Sequence, residues 1–381
     1  MDVTGLRIAL FSGNYNVTLD GANKALNRLV EYLLRQGAAV RVYSPTVENP
    51  AFRQQGDLVS LPSIAIPGRS EYRVPLGLSA AARDDLARFA PNIIHVSSPD
   101  FSARAALRWA KKRRIPVLAS VHTRFETYPR YYGVGFLEPV LERWIGDFYR
   151  RCDALVTPSP SMVEVLREQR MNRDIGIWSR GVDRDIFGPE RRDPEWRRSL
   201  GIADDDVAIA FLGRLVMEKG LDRFAQTIDR LKDRSRAPKI IVIGDGPARG
   251  WFETALPTGK FVGFQSGADL GRALASADIF FNPSITETFG NVTLEAMASG
   301  LPVVASAATG STSLVEDGVT GKLVPPGSAD GFADALAPYL ADAALRTAHG
   351  EAGERRSRDY SWDAINKVMA ETYLRLVAAS S

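Results

Sequence analysis

Two glutamates, Glu287 and Glu295, stand with seven residues between them, including a Phe-Gly pair, in the stretch TETFGNVTLE. The apolar run DIFFNPS precedes this stretch and AMASGLPVVAS follows it, so the loop joins a strand to a helix. A strand ending at Phe281 or Asn282 and a helix starting near Gly290 leave the N–H groups of Gly290, Asn291 and Val292 without helical partners. Those groups favour an anion such as phosphate. Gly300 stops the helix at its far end. A carboxylate only accepts, through two oxygens, and therefore suits a pair of hydroxyls. One ligand with phosphate at the helix start and hydroxyls on either side would engage both glutamates. Spacing alone equally allows Glu295 to be a helix-dipole partner and Glu287 a solvated turn residue.

A second set favours the ligand reading. Arg214 and Lys219, in FLGRLVMEKGLDRF, come directly after the apolar run VAIAFLG. Cations at a strand end are placed for a diphosphate, which arginine can clamp with two parallel hydrogen bonds. Each such charge-assisted bond is worth ~1.5–3 kcal/mol. The next strand ends in VIGDGP, whose glycines read first as a tight turn and second as a phosphate cradle. Near the N-terminus, SGNYNVTLDGANKALNRL follows the first strand, and Gly13 and Gly21 permit close backbone approach. The spacing is not G-x-G-x-x-G, so a dinucleotide fingerprint, and with it a Rossmann oxidoreductase, is disfavoured. ASVHTRFETYPRYYG puts His122 and Thr123 at another strand end, where His122 reads as a ligand contact before a core histidine. His95, inside the apolar run NIIHVSS, reads as structural. The tripeptide NVT at 16–18 is a formal glycosylation sequon that carries no meaning without a secretory signal.

These residues need strand ends to hold them. LRIALFS, AAVRVYS, NIIHVSS, IPVLASV and DALVTPS alternate with helical patterns such as ANKALNRLVEYLLRQG and LEPVLERWIGDFYRR. Such alternation predicts a parallel sheet covered by helices on both faces. The pattern breaks near 176–190 at GIWSRGVDRDIFGPE, rich in glycine, proline and charge, which reads as a linker. It restarts with VAIAFLG, KIIVIGDG, KFVGF, DIFFNPS and LPVVAS. The expectation is two doubly wound α/β domains in tandem, 1–178 and 191–358, joined by a linker at 179–190. Ligands would bind outside the carboxyl ends of the strands, in a cleft where the two domains face each other. A last amphipathic helix, within 359–381, would cross back toward the N-terminal domain.

Composition agrees. A chain of 381 residues, 45% hydrophobic and 24% charged, is long enough for two cores of a globular protein. No apolar run approaches the ~18 residues of a membrane span. No basic leader precedes the first strand, so no signal peptide is expected. The single cysteine, Cys152, can form no internal disulfide and reads as a buried, inert thiol. Three histidines, His95, His122 and His349, have no metal-ligand spacing. The net charge of +3 is unevenly spread. Residues 1–180 hold 25 lysines and arginines against 17 acidic residues, and residues 181–381 hold 23 against 28. A basic half suits an anionic partner, a membrane surface or nucleic acid, although solvated faces would give the same asymmetry.

Taken together, ETFGNVTLE, GRLVMEKG, ASGLPVVASAATGSTSLVEDGVTGKLVPPG and VHTRFETYPRYYG resemble the retaining nucleotide-sugar glycosyltransferases of family 4. The likeness runs along nearly the whole chain. VHTRFETYPRYYG is similar to the branch of GDP-mannose-dependent lipid mannosyltransferases and sulfoquinovosyl-diacylglycerol synthases. The resemblance implies a GT-B fold and four catalytic positions: His122 near the transferred sugar, Arg214 and Lys219 at the leaving diphosphate, and Glu287 at the donor sugar. It implies donor contacts by Gly21, Gly213, Gly244, Phe289, Gly290, Asn291 and Val292, and a ribose contact by Glu295. It implies a UDP- or GDP-linked donor, no bound metal and no other cofactor, with donor phosphate oxygen helping to take the acceptor proton.

Two departures touch specificity. NYNVTLDGAN is longer than the tighter glycine pair of relatives, and Arg124 stands where relatives often carry an acidic or small residue. Arg124, with Tyr128 and Arg130, is a candidate for recognising an acidic sugar or an acceptor phosphate. The expected activity is transfer of a hexosyl or hexuronosyl unit to a membrane glycolipid, on an anionic membrane surface and without nucleic acid. The expected location is cytoplasmic, peripheral on the inner face of the membrane. The alternatives are transfer to a soluble or polysaccharide-precursor acceptor and a catalytically silent nucleotide-sugar-binding protein.

Overall fold

The computed structural model describes residues 2–18, 20–66, 69–122, 136, 138–232 and 237–380. The chain forms two compact units, residues 1–180 with 362–381, and residues 181–361. Among the described residues no helix is long and apolar enough to cross a membrane.

The first unit is built on strands β1 (Arg7–Phe11), β2 (Ala39–Ser44), β3 (Asp57–Ser60), β6 (Ile93–Val96), β7 (Val117–Ser120), β8 (Ala154–Thr157) and β9 (Ile175–Ile177). They pair in parallel in the order β3-β2-β1-β6-β7-β8-β9. Strands β4 (Ser63–Ile66) and β5 (Arg69–Pro75) make a separate antiparallel hairpin. Helices α1 (Gly21–Arg35), α2 (Ala80–Phe89), α3 (Phe101–Lys111), α4 (Glu138–Arg150) and α5 (Pro160–Glu168) connect the strands. Ala9, Phe11, Ile94, Val96, Val117, Ala119 and Leu155 pack into one core cluster. Their neighbours Ile8, Leu10, Ile93 and Leu118 are equally buried, so both faces of the sheet are covered.

The second unit repeats the plan. Helix α6 (Pro194–Ser199) leads into β10 (Ala208–Leu212), α7 (Leu221–Lys232), β11 (Lys239–Ile243), α8 (Arg249–Ala255) and β12 (Lys260–Gly263). Then come α9 (Gly267–Ala275), β13 (Ile279–Asn282), α10 (Asn291–Ala298), β14 (Val303–Ser306) and α11 (Thr309–Leu314), then β15 (Gly321–Val324), α12 (Ala329–Ala341) and α13 (Ala343–Ser357). The parallel order is β12-β11-β10-β13-β14-β15. Alternate side chains divide between two cores: Ala208, Ala210, Ile241 and Phe280 on one face, Ile209, Phe211, Val242 and Phe281 on the other. That division is the period-two rule acting on a sheet buried from both sides.

The stretch read as a linker is largely core. Residues 175–177 form β9, Trp178 and Arg180 are buried in the first unit, and Val182 and Phe187 are buried in the second. The chain returns to the first unit through α14 (Trp362–Ser380). Its buried stripe, Ile365, Asn366, Met369, Ala370, Tyr373 and Leu376, follows helical spacing. Asn366 donates to the Arg28 carbonyl at 3.2 Å and accepts from Trp178 Nε1 at 3.3 Å. Arg375 pairs with Asp174 and Arg35 with Asp363 on the rim.

Tyr373 also reaches His95, whose Nδ1 lies 2.7 Å from the phenol oxygen and whose Nε2 lies 2.8 Å from Ser120 Oγ. His95 has no exposed surface, as its apolar run implies. Burial pushes its pKa down to about 3. Cys152 is likewise buried, and burial pushes its thiol up to about 12, which leaves it unreactive. Between a pH of about 6.5 and 3 the unfolded chain binds a proton at His95 that the folded chain refuses. Acidification through that window therefore costs stability, about 1.4 kcal/mol per pH unit for this group. In urea titrations of the full chain from pH 6.5 to 4.5, His95→Gln is expected to flatten the decline by about that slope. An unchanged slope contradicts a buried neutral His95.

Candidate active site

In the second unit β10 lies between β11 and β13, so successive connections leave the sheet on opposite faces and a crevice opens at the carboxyl ends. The loops leaving β10 and β13, residues 213–220 and 283–290, carry the charges singled out in the sequence. They are tied together. Lys219, at the end of the short 3-10 turn Met217–Lys219, donates from Nζ to Glu287 Oε1 at 2.5 Å. Thr286 Oγ1 donates to the Glu218 carbonyl at 3.3 Å. The Lys219 and Glu287 side chains are 30% and 15% exposed, so both charges are partly desolvated. Removing either charge would take from the other the partner that offsets its partial desolvation. Arg214 stands exposed on the first of these loops.

Helix α10 starts at this crevice. Its N-cap is Gly290, at φ 94°, and no side chain caps it and no acidic residue occupies its first turn. The helix start thus keeps its positive end available to an anion beside Lys219 and Glu287. Asn291, Val292 and Glu295 are half-buried along the first turns. Phe289 contributes backbone only: its ring is buried in the core, edge-on to Tyr360 at 5.9 Å.

Two glycines hold these loops from behind. The Gly310 N–H donates to the Glu287 carbonyl at 2.9 Å. A methyl there would lie 2.7 Å from the Phe289 carbonyl carbon and 2.9 Å from Glu287 Cβ. Gly244, at φ 136°, is pressed against the Gly213 carbonyl so closely that no Cβ fits. Leu215 N–H donates to the Asp245 carbonyl at 2.9 Å and Ala248 N–H to the Leu215 carbonyl at 3.0 Å. GDGP is therefore the turn on which the Arg214 loop rests, and Gly244, expected among the ligand contacts, is buried beneath Gly213.

In the first unit His122 follows β7. Its Nε2 lies 2.8 Å from Ser120 Oγ, its Nδ1 lies 2.6 Å from Arg180 Nη2, and the Trp178 ring meets it edge-on at 5.4 Å. Burial first, then the Arg180 and His95 charges, hold the His122 pKa well below the usual imidazole range. Arg180 is 3% exposed and burial lowers its pKa to about 9, with Asp20 opposing the fall. Asp20 caps α1, accepting from Asn23 N–H at 2.8 Å, and burial raises its pKa against those hydrogen bonds. Gly21 is the first residue of α1. Thr123, Arg124, Tyr128 and Arg130 lie outside the described residues. Arg180 and Gly310 escaped the sequence reading because nothing in their spacing marks them; both act through tertiary approach.

A parallel-sheet fold with cations, an uncapped helix start and two glutamates after neighbouring strands fits a nucleotide-sugar-dependent glycosyltransferase of the GT-B type. Two family models match, "Glycosyltransferase Family 4" over residues 19–186 and "Glycosyl transferases group 1" over residues 206–342. The chain is 31% identical to the sulfoquinovosyl transferase SQD2 of Arabidopsis thaliana, across 96% of this chain and 73% of that one. It is 30% identical to a GDP-mannose-dependent alpha-mannosyltransferase of Mycolicibacterium smegmatis, across 94% and 95%. The solved sucrose-phosphate synthase of Thermosynechococcus elongatus superposes with a TM-score of 0.79 at 21% identity, over 98% of this chain and 99% of that one. The protein belongs to glycosyltransferase family 4.

Gly310→Ala should push the Glu287 loop out of place. A decrease in stability of about 1–3 kcal/mol is expected from the overpacking, together with weaker donor binding. Thermal melting and calorimetry with a nucleotide sugar would measure both. Unchanged donor affinity in a folded variant would mean that the Glu287 loop does not depend on this contact.

Proposed function

We propose that this protein transfers a hexosyl or hexuronosyl unit, with retention, from a UDP- or GDP-linked donor to a membrane glycolipid. It would work without a bound metal, peripherally on the inner face of the cytoplasmic membrane. The contact that carries the reading is Lys219 to Glu287 at 2.5 Å beside the uncapped start of α10. A donor diphosphate laid there meets Arg214, Lys219 and the Gly290–Val292 amides. Its ribose falls to Glu295 and its sugar to Glu287. As the sugar's anomeric carbon leaves the diphosphate oxygen, the bond's electron pair passes to the diphosphate, where this fixed positive charge receives it. The acceptor oxygen bonds to the same face of that carbon, and its proton goes to a donor phosphate oxygen. No protein base is assigned.

The lipid acceptor has separate support. Phe136, Val140 and Trp144 are exposed, on and just before α4, next to exposed Arg143. Arg104 of α3 lies 3.7 Å over the Trp144 ring and donates to its carbonyl, which joins α4 to α3. Helix α3 runs on into the exposed cations Lys112, Arg113 and Arg114. Apolar and basic groups together suit an anionic leaflet, where each nearby cation adds ~1 kcal/mol. The name of the GDP-mannose-dependent mannosyltransferase relative agrees with a nucleotide-sugar donor, and the SQD2 name, which gives a different sugar, leaves the sugar open.

The test is transfer from radiolabelled UDP-, GDP- and ADP-linked sugars into a lipid extract on anionic or neutral vesicles. The expected product is a glycolipid that keeps the donor's anomeric configuration, forms faster on anionic vesicles and persists in EDTA. A purely water-soluble product, or an inverted one, contradicts the proposal.

A further inference from the structure

Behind His122 runs a line of buried polar groups that the transfer reading leaves unused. Arg180 Nη2, His122, Ser120, His95 and Tyr373 follow one another at 2.6, 2.8, 2.8 and 2.7 Å. Ser120, His95 and Tyr373 are at most 1% exposed and Arg180 is 3% exposed, so water does not replace these four, and His122 between them is half-buried. We propose that Arg180 is the positioning residue for His122, fixing its ring as the neutral Nε2–H tautomer and setting the direction of the whole chain.

Arg180 is a donor with no choice. Guanidinium only donates, so His122 Nδ1 must accept from Arg180 and the ring proton sits on Nε2. That N–H donates to Ser120 Oγ. The single Ser120 hydroxyl proton then turns to His95 Nε2. His95 in turn carries its proton on Nδ1 and donates it to the Tyr373 oxygen on α14. A proton added at His122 Nδ1 would set donor against donor and cation against cation. Arg180 after β9 and His95 on β6 act on the ring directly, and each has its own charged or titratable neighbour, Asp20 at the start of α1 for Arg180 and Tyr373 on α14 for His95. Asp20 offsets the Arg180 charge, which lets the buried guanidinium persist. His122 therefore holds position in transfer and moves no proton.

The tautomer is measurable without activity. The activity arm rests on the proposed transfer function and the spectral arm does not. Long-range proton–nitrogen spectra of the nitrogen-15 histidine-labelled full chain resolve only three imidazoles, each assignable by its His→Gln variant. Expected is a His122 with bare Nδ1 and protonated Nε2, unchanged from pH 5.5 to 8. Arg180→Lys keeps a donor and keeps that tautomer, whereas Arg180→Met releases it, so that His122 titrates in this window. In the transfer assay Arg180→Met should lower kcat about 10- to 100-fold with donor KM unchanged and add an ionisation to the pH profile. Protonated Nδ1 or titration of His122 in the native chain overturns the proposal. So does Arg180→Met with native His122 signals and native kcat. If Arg180→Met does not fold, the native and Arg180→Lys spectra decide alone. Expected spectra without transfer to any acceptor would fault the function and leave the tautomer assignment standing.

Discussion

The contact between Lys219 and Glu287, 68 residues apart in sequence, joins two loops that leave neighbouring parallel strands. It can form only because the strand order brings the ends of β10 and β13 together. Everything else in the second unit's site is arranged around that pair. Gly310 and Ser306 hold the 283–290 loop through its carbonyls, and the GDGP turn holds the Arg214 loop. Such backing fixes charge before a ligand arrives, so little reorganisation is left for the moment of reaction.

The two units share a topology and solve its carboxyl edge in opposite ways. The second unit keeps its cations at the surface, with Arg214 exposed and Lys219 partly so. The first unit buries Arg180 and surrounds it with hydrogen-bond partners, leaving the neighbouring imidazoles neutral. Exposed charge at a strand end can exchange its partner for a ligand at modest cost. Buried charge cannot, and it acts by holding neighbours still.

The central strands were legible because they are buried on both faces and read as unbroken apolar runs: β1, β6, β10 and β13 all fall within the segments expected from sequence. Strands β3, β9 and β15 escaped notice. Each is short and lies at the edge of its sheet with exposed or half-exposed positions, so neither a continuous run nor a clean alternation marks it. The 176–190 segment misled for a related reason. Its glycine, proline and charge are those of a loop, yet Trp178, Arg180, Val182 and Phe187 are all buried. Site residues followed the same divide. Arg214, Lys219 and Glu287 stood out by coming directly after strand runs. Arg180 and Gly310 gain their roles from packing against distant segments, which spacing does not express.

We propose that Lys219 and Glu295 grip one nucleoside diphosphate, at its phosphates and its ribose. Calorimetric titration of UDP and GDP into the native protein and into Lys219→Met and Glu295→Ala measures this most directly. Each variant is expected to bind the preferred nucleotide roughly 10- to 150-fold more weakly, the loss of one charge-assisted hydrogen bond or more. Native affinity in both folded variants would contradict it.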